Sequence, residues 1–262
     1  MKTDLTDVTF LILVRLDSIE RLENILCVTE RLTHYFKTNT KVREADGYNN
    51  GILKSLLNRQ VQYEFIEDKD PVLYKTRHIN QMSVSIKTPY LSIWDADIIP
   101  DKKAIIECVE QLRNKEADVA YPYNGICYDI PKSLKSLYFK KRDIRFPFRH
   151  INKMERLYPH PLVGGAIIVN KEKYIEIGME NEKHYGWGND DFDRYYRFVG
   201  LDYRIHRVNT PLFHLSHPRG DNSQFHSSIS SKISSCVRFR MECLSTKELQ
   251  NDIKNLINYP LL

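Results

Sequence analysis

Strand-like and helix-like segments take turns along roughly the first 100 residues, in the manner of βαβ units. "VTFLILVR" has the apolar run of a buried strand. "SIERLENILCVTERLTHYF" follows, with Ile19, Leu22, Ile25, Leu26 and Leu32 at helical spacing. "TKVREAD" predicts a second strand, "YNNGILKSLLN" a short helix, "VQYEFIED" a third strand and "TRHINQMSVSI" a helix. "YLSIWDADIIP" predicts a strand that runs into acids. Alternation with short connections implies an α/β fold, a mainly parallel central sheet flanked by helices. Ligands of such sheets gather at the carboxyl ends of the strands. Acids stand after three of the strands here: Asp17, then Glu44 and Asp46, then Asp95 and Asp97.

Further along, "DKKAIIECVEQLRNKEA" predicts a helix with Ala104, Ile105, Val109 and Leu112 inward, and "DVAYPYNG" begins a strand. Residues 130–160 show no clear period and are expected to form a mobile loop or lid. "LVGGAIIVNKEKYIEIG" reads as a strand pair or a strand, turn and helix, "DDFDRYYRFVGL" as a helix, and "DYRIHRV" and "PLFHLSH" as short strands. From about residue 222 the pattern is helical and polar. The expected organisation is one domain over 1–222 and a helical C-terminal extension over 223–262.

Composition narrows the function classes. The chain is 42% apolar and 28% charged, and no run approaches the roughly 18 apolar residues that a membrane span needs. The start, "MKTDLTD", is polar and has no apolar signal core, so a cytoplasmic location is expected. The five cysteines are odd in number and form no CxxC pair, which argues for reduced, mostly buried thiols over a disulfide framework or a zinc knuckle. The net charge of +5 is mild. Its main cluster is "FKKRDIRFPFRHINKMER", Phe139 to Arg156. That segment reads either as a solvated face or as a surface for an anionic membrane, an acidic glycan or a phosphate-bearing lipid. No helix-turn-helix or RNA-binding motif accompanies it, so nucleic acid is not an expected partner.

Three constellations carry chemistry. In "IWDADII" two carboxylates sit two residues apart inside an apolar run. Burying unpaired charge is costly, and a divalent cation is a natural partner for oxygen ligands. The bland alternative is an N-cap and turn acid for the helix beginning near Asp101. In "FHLSHPRGD", His214 and His217 would face opposite ways on a regular strand, but Pro218 favours a turn in which they converge. Alone such a pair is more often structural; beside an Asp-x-Asp short of ligands it reads as a metal site that suits Mn²⁺ better than Mg²⁺, with Zn²⁺ or Fe²⁺ open on ligand type. In "HYGWGNDDFDRYYRF", Asp190, Asp191 and Asp193 follow a Gly-Trp-Gly turn. Acids are favoured at a helix start by the dipole. The functional reading is a general base, with Trp187 as a platform for an apolar sugar face.

The order Asp-x-Asp, Gly-Gly, Gly-Trp-Gly-x-Asp-Asp-x-Asp, His-x-x-His resembles the inverting GT-A glycosyltransferases, nearest the β-1,4-galactosyltransferase and chondroitin-polymerase type and in a bacterial form. The resemblance spans about residues 8–222 and implies a GT-A fold, with 1–120 as the nucleotide-binding half and 121–222 as the acceptor-binding half. It implies Mn²⁺, or Mg²⁺, on Asp97 and His217, with His214 as a further ligand. Asp191 would be the catalytic base and Asp190 would hold acceptor hydroxyls. Asp95 would lie on the nucleotide ribose or the metal, Trp187 would contact both sugars, and Gly165 would allow close approach of the donor. Arg15 resembles a nucleotide-contacting arginine, and Arg77 and Asn80 resemble polar residues of the family's next helix. Glu44 and Asp46 resemble uridine-binding acids of related bacterial transferases. Two departures stand out: Asp190 occupies a position where Glu is usual, and Asp17 replaces a second basic residue after the first strand.

These readings converge on a metal-dependent inverting transferase. It would move a hexose, galactose or N-acetylgalactosamine first, from a UDP-sugar to a glycan or lipid-linked acceptor in surface polysaccharide synthesis. A metal-dependent phosphoesterase or nuclease, and a non-catalytic sugar-binding module, are the competing classes. The first would want more ligands around two close metals; the second has no use for "DAD" with His217.

Overall fold

The computed structural model describes residues 1–141, 143 and 145–257. Among the described residues eleven strands and ten α-helices follow in order: β1 (Thr3–Val14), α1 (Ile19–Tyr35), β2 (Phe36–Asp46), α2 (Ile52–Leu56), β3 (Val61–Glu67), α3 (Lys75–Ser85), β4 (Tyr90–Asp95), β5 (Ile98–Ile99) and α4 (Lys102–Arg113). Then come β6 (Val119–Tyr121), β7 (Cys127–Ile130), α5 (Lys132–Lys141), α6 (Phe146–Arg149), β8 (Glu155–Arg156), β9 (Ala166–Asn170), α7 (Lys171–Glu176) and α8 (Asp190–Gly200). The described residues end with β10 (Ile205–Arg207), β11 (Leu212–Leu215), α9 (Ser228–Cys243) and α10 (Thr246–Ile257).

Seven strands form one sheet in the order β10-β6-β9-β4-β1-β2-β3. β1 runs parallel to β2 and β4, β2 parallel to β3, and β10 parallel to β6. β9 runs antiparallel between β4 and β6, which makes the sheet mixed. The apolar run of β1 is explained by its place in the middle: residues 8–14 are buried, as a strand covered on both faces requires.

Helices close both faces through local signals. Ser18 caps α1 by accepting from the Arg21 amide, and the inward face carries Ile25, Val28 and Leu32. Ile19 is 64% exposed, so the expected apolar stripe begins one turn late. Asp101 caps α4, accepting from the Lys103 amide at 2.6 Å. Ala104, Ile105, Val109 and Leu112 all face the core as expected. Because Asp101 takes the cap, Asp95 and Asp97 are not needed for it.

The expected loop over 130–160 is a correction. α5, α6, a 3-10 turn at Ile151–Lys153 and β8 lie there. The period was hidden because α5 turns a lysine inward: Leu134, Lys135 and Tyr138 are its buried positions. The Lys135 ammonium donates to the Ser216 carbonyl at 2.9 Å and to Asn24 Oδ1 at 3.3 Å. A buried cation that is hydrogen-bonded is tolerated, and a hydrophobic pattern cannot show it.

A second sheet, β5-β11-β7-β8, packs beside the first. It arises because "DADII" is not one strand. β4 ends at Asp95, the chain turns at Ala96 and Asp97, and Ile98 and Ile99 pair antiparallel with His214 and Phe213. The Asp-x-Asp therefore occupies the corner between two sheets. At the other end α9 packs on α8, and Met241, Leu249 and Ile253 form a small separate core against Tyr196 and Leu201. Among the described residues no helix is long and apolar enough to cross a membrane.

Candidate functional site

A cavity of about 370 Å³ opens at that corner. Its walls include Asp95 and Asp97 from the turn after β4, Gly164 and Gly165 before β9, Trp187 to Asp191 at the start of α8, and His214 and His217 at the end of β11. Motifs that run from Asp95 to His217 in the sequence thus meet in one space of the size that small-ligand sites occupy.

Asp97, His214 and His217 form one end. Their ligand atoms all lie within 4.8 Å of one another. His217 Nε2 stands 3.1 Å, and His214 Nε2 3.7 Å, from Asp97 Oδ2. Strand pairing brings them together: His214 sits opposite Ile98 in register, and the Leu215 amide donates to the Asp97 carbonyl at 2.7 Å. Each imidazole is oriented from behind. His214 Nδ1 donates to Asp129 at 2.6 Å, and His217 Nδ1 donates to the Pro218 carbonyl at 2.7 Å. That leaves both Nε2 atoms turned toward a carboxylate oxygen, and acceptors so close need a proton or a cation between them. Burial works against the charged Asp97, but the charge and hydrogen bond of His214 and the bond from His217 hold its carboxyl well below the usual range. Burial likewise opposes the charge on His214, yet Asp97 and Asp129 push it up to about 9. One carboxylate and two backed imidazoles are a donor set that fits Mn²⁺. Arg21 joins them: it lies 3.7 Å from Asp97, bonded to Asp17 at 2.8 Å and to Ser223. The acid at 17 therefore recruits a cation one helical turn later.

Asp190 and Asp191 form the other wall, with Lys75 between them and Asp95. The Lys75 ammonium is 3.3 Å from Asp190, 3.5 Å from Asp95 and 3.7 Å from Asp191. Burial disfavours its charge, but the carboxylates of Asp190, Asp191 and Asp95 keep it protonated, well above its usual range. Asp191 is half-buried beside the same cation and receives Arg194 at 2.6 Å; those two charges keep its carboxyl low despite desolvation. Burial, opposed by Lys75 and aided by the neighbouring acids, pushes Asp95 up to about 6. Asp190 Oδ2 is buried and makes no hydrogen bond, so the Lys75 ammonium at 3.3 Å is what balances its charge. Asp193, the third acid of the motif, turns away: it is buried against Arg197, His184 and Asn181 and holds the loop in place.

The Gly-Trp-Gly loop owes its glycines to close packing. Gly186 and Gly188 have φ of +82° and +106°, and a Cβ on them would meet Val72 at 2.7 Å and Phe225 at 2.5 Å. Trp187 stands edge-on to Phe225, with ring centroids 5.3 Å apart. Gly165, at φ +82°, turns the chain into β9. The closest approach is at Gly164, where a Cβ would fall 2.0 Å from Asp191 Oδ2.

The remaining expected residues lie outside the cavity wall. Arg15 is buried and fully engaged, donating to the Ala45 and Asp70 carbonyls and pairing with Asp68 at 2.8 Å. Asn80 bridges Glu180 and Glu182 within the core. Arg77 lies over the Tyr74 ring near Glu182. Asp46 accepts from the Gly47 amide. Glu44 is buried, accepts from the Tyr63 hydroxyl at 2.6 Å and has a second oxygen without a partner; burial raises its pKa. Sequence reasoning missed Lys75, Arg21, Arg194 and Asp129. Lys75 had one signal: a cation in the first turn of a helix opposes the dipole, so something else must hold it there.

Comparisons with known proteins bear on this geometry. A family model described as the N-terminal domain of galactosyltransferase matches residues 147–218, the segment that carries Gly164, the Gly-Trp-Gly loop and both histidines. No curated protein matches the sequence. The catalytic domain of Drosophila beta1,4galactosyltransferase 7, solved in complex with xylobiose, superimposes with a TM-score of 0.50 at 14% identity, over 89% of this chain and 79% of that one. GalNAc-T7, solved with UDP, GalNAc and Mn2+, gives 0.53 at 13% identity over 97% of this chain. The present chain spans 58% of GalNAc-T7. At such identities the likeness is one of fold, and the fold is that of the GT-A glycosyltransferases.

Proposed function

We propose that this protein is a metal-dependent inverting glycosyltransferase that moves a hexose, galactose or N-acetylgalactosamine, from a UDP-sugar to a glycan or lipid-linked acceptor. The observation that carries the reading is the facing of two half-sites across one cavity: Asp97, His214 and His217 on one side, Asp190 and Asp191 on the other. The fold and the partial family match supply the context. Asp97 and the two histidines would hold Mn²⁺, which when bound neutralises the charge that develops on a departing diphosphate.

The chain's own residues account for the rest. Asp191 accepts the proton of the attacking hydroxyl. Arg194 and Lys75 keep it ionised and aimed. Asp190, ion-paired with Lys75 and next to Asp191 on the cavity wall, would hold a neighbouring hydroxyl of the acceptor. Trp187 offers an aromatic face to the sugars. Attack from the wall opposite the leaving group is a single displacement and inverts the anomeric carbon. Positioning and fixed charge do most of the work. Among the described residues one three-ligand cluster is present, whereas a two-metal phosphoesterase calls for two.

The test is UDP release from a panel of UDP-sugars, with and without Mn²⁺, for the wild type and Asp97→Ala. Release that needs Mn²⁺ and is lost in Asp97→Ala supports the reading and names the donor. A folded, Mn²⁺-loaded protein that neither releases nor binds UDP overturns it.

A further inference from the structure

Charge in this protein is segregated. Residues 132–156 contain nine Lys and Arg against Asp143 and Glu155, a net of +7 in a chain whose total is +5, so the remaining residues sum to −2. The structure shows where the cations among the described residues point. α5 buries Leu134, Lys135 and Tyr138 and turns Lys132, Ser133, Ser136, Leu137, Lys140 and Lys141 outward. Arg145, Arg149, Lys153 and Arg156 are exposed as well. Leu137, one turn before Lys140 and Lys141, is 47% exposed. β8 then carries the chain to Leu157 and Tyr158, which line the cavity. β8 belongs to the same small sheet as His214.

We propose that the outward face of α5, with Arg145, Lys153 and Arg156, docks the protein on a bilayer that contains anionic lipid. Lysines that surround an exposed leucine suit an interface in which apolar groups enter the headgroup layer and ammonium groups stay at the phosphates. An acidic glycan fits less well. No aromatic side chain is exposed among the described residues of this stretch, so nothing there stacks on a sugar ring. Arg156 is one residue from Leu157, which lines the cavity, so docking through Arg156 holds that part of the wall near the lipid surface. A saccharide carried on lipid would reach the site without leaving the membrane.

Vesicle binding is measured without donor or acceptor, so its failure and the failure of the transfer reading are separate results. The full chain is sedimented with phosphatidylcholine vesicles, with and without phosphatidylglycerol. A first variant neutralises the patch (Lys140→Gln, Arg145→Gln, Lys153→Gln, Arg156→Gln). A control removes the same charge from exposed lysines elsewhere (Lys2→Gln, Lys54→Gln, Lys183→Gln, Lys247→Gln). Each basic side chain at such a surface contributes about fivefold to partitioning. The expected result is binding to anionic vesicles alone, reversed by salt, weakened at least about tenfold in the patch variant and retained in the control. Circular dichroism confirms that both variants fold. Equal loss in the two variants overturns the proposal, because net charge would then suffice. So does absence of binding by the wild type, or salt-sensitive binding to a soluble acidic polysaccharide in place of vesicles.

Discussion

Gly164 stands against Asp191 so closely that any side chain at 164 displaces the carboxylate. Gly164→Ala is expected to lower the transfer rate on the order of 100-fold, the usual cost of moving a reacting group by about an ångström. Turnover on the donor found by UDP release, with circular dichroism as the fold control, checks this. The metal end makes a pH prediction. Without metal, His214 is raised to about 9 from an unfolded value near 6.5. A raised pKa contributes stability that is present in full below the unfolded value and disappears as pH climbs through the folded one. Melts of the EDTA-treated protein should therefore fall between about pH 6.5 and 9, and His214→Gln should flatten that slope. Protons and Mn²⁺ compete for His214 Nε2, so Mn²⁺ should bind more tightly as pH rises across the same window.

At the scale of elements, the site depends on contacts between segments far apart in sequence. The loop before α8 is held from α9: Ser234 donates to the Gly188 carbonyl at 2.9 Å and also bonds His184 at 2.9 Å. Phe225 fills the space beside Gly188 that a Cβ would need. Gly188→Ala should therefore suffer twice, from the clash and from its left-handed backbone. Strain at such φ is of order 1–3 kcal/mol. In a double-mutant cycle, Phe225→Ala should relieve the steric part and leave the backbone part, read as denaturation midpoints. Full additivity of the two substitutions would show that the ring and the loop do not interact.

For the whole molecule, one cation should tie the two sheets together, because Asp97 follows the large sheet and His214 lies in the small one. Mn²⁺ at about a hundred times its dissociation constant should add about 2.7 kcal/mol to the stability. The gain should be absent in Asp97→Ala, and thermal melts with and without Mn²⁺ measure it. Equal stabilisation of both proteins would place the ion elsewhere.

Several features were legible in the chain before any coordinates. Periodicity placed β1 to β4 and the helices between them, because burial on a strand or helix repeats every two or 3.6 residues. The acids, the glycines and the two histidines were legible for a related reason: chemistry needs those side chains whatever the scaffold. Tertiary structure decided what periodicity cannot encode. The inward Lys135 hid α5, because its satisfaction depends on Ser216 and Asn24, both distant in sequence. β5 and β11 became partners only when the turn at Ala96 and Asp97 brought two sheets together. Lys75 acquired its place among three carboxylates in the same way, since long-range electrostatics act through space and leave no spacing in the sequence. Asp190 and Asp191 face the cavity while Asp193 supports the loop, and only their positions around α8 in the assembled fold assign those roles.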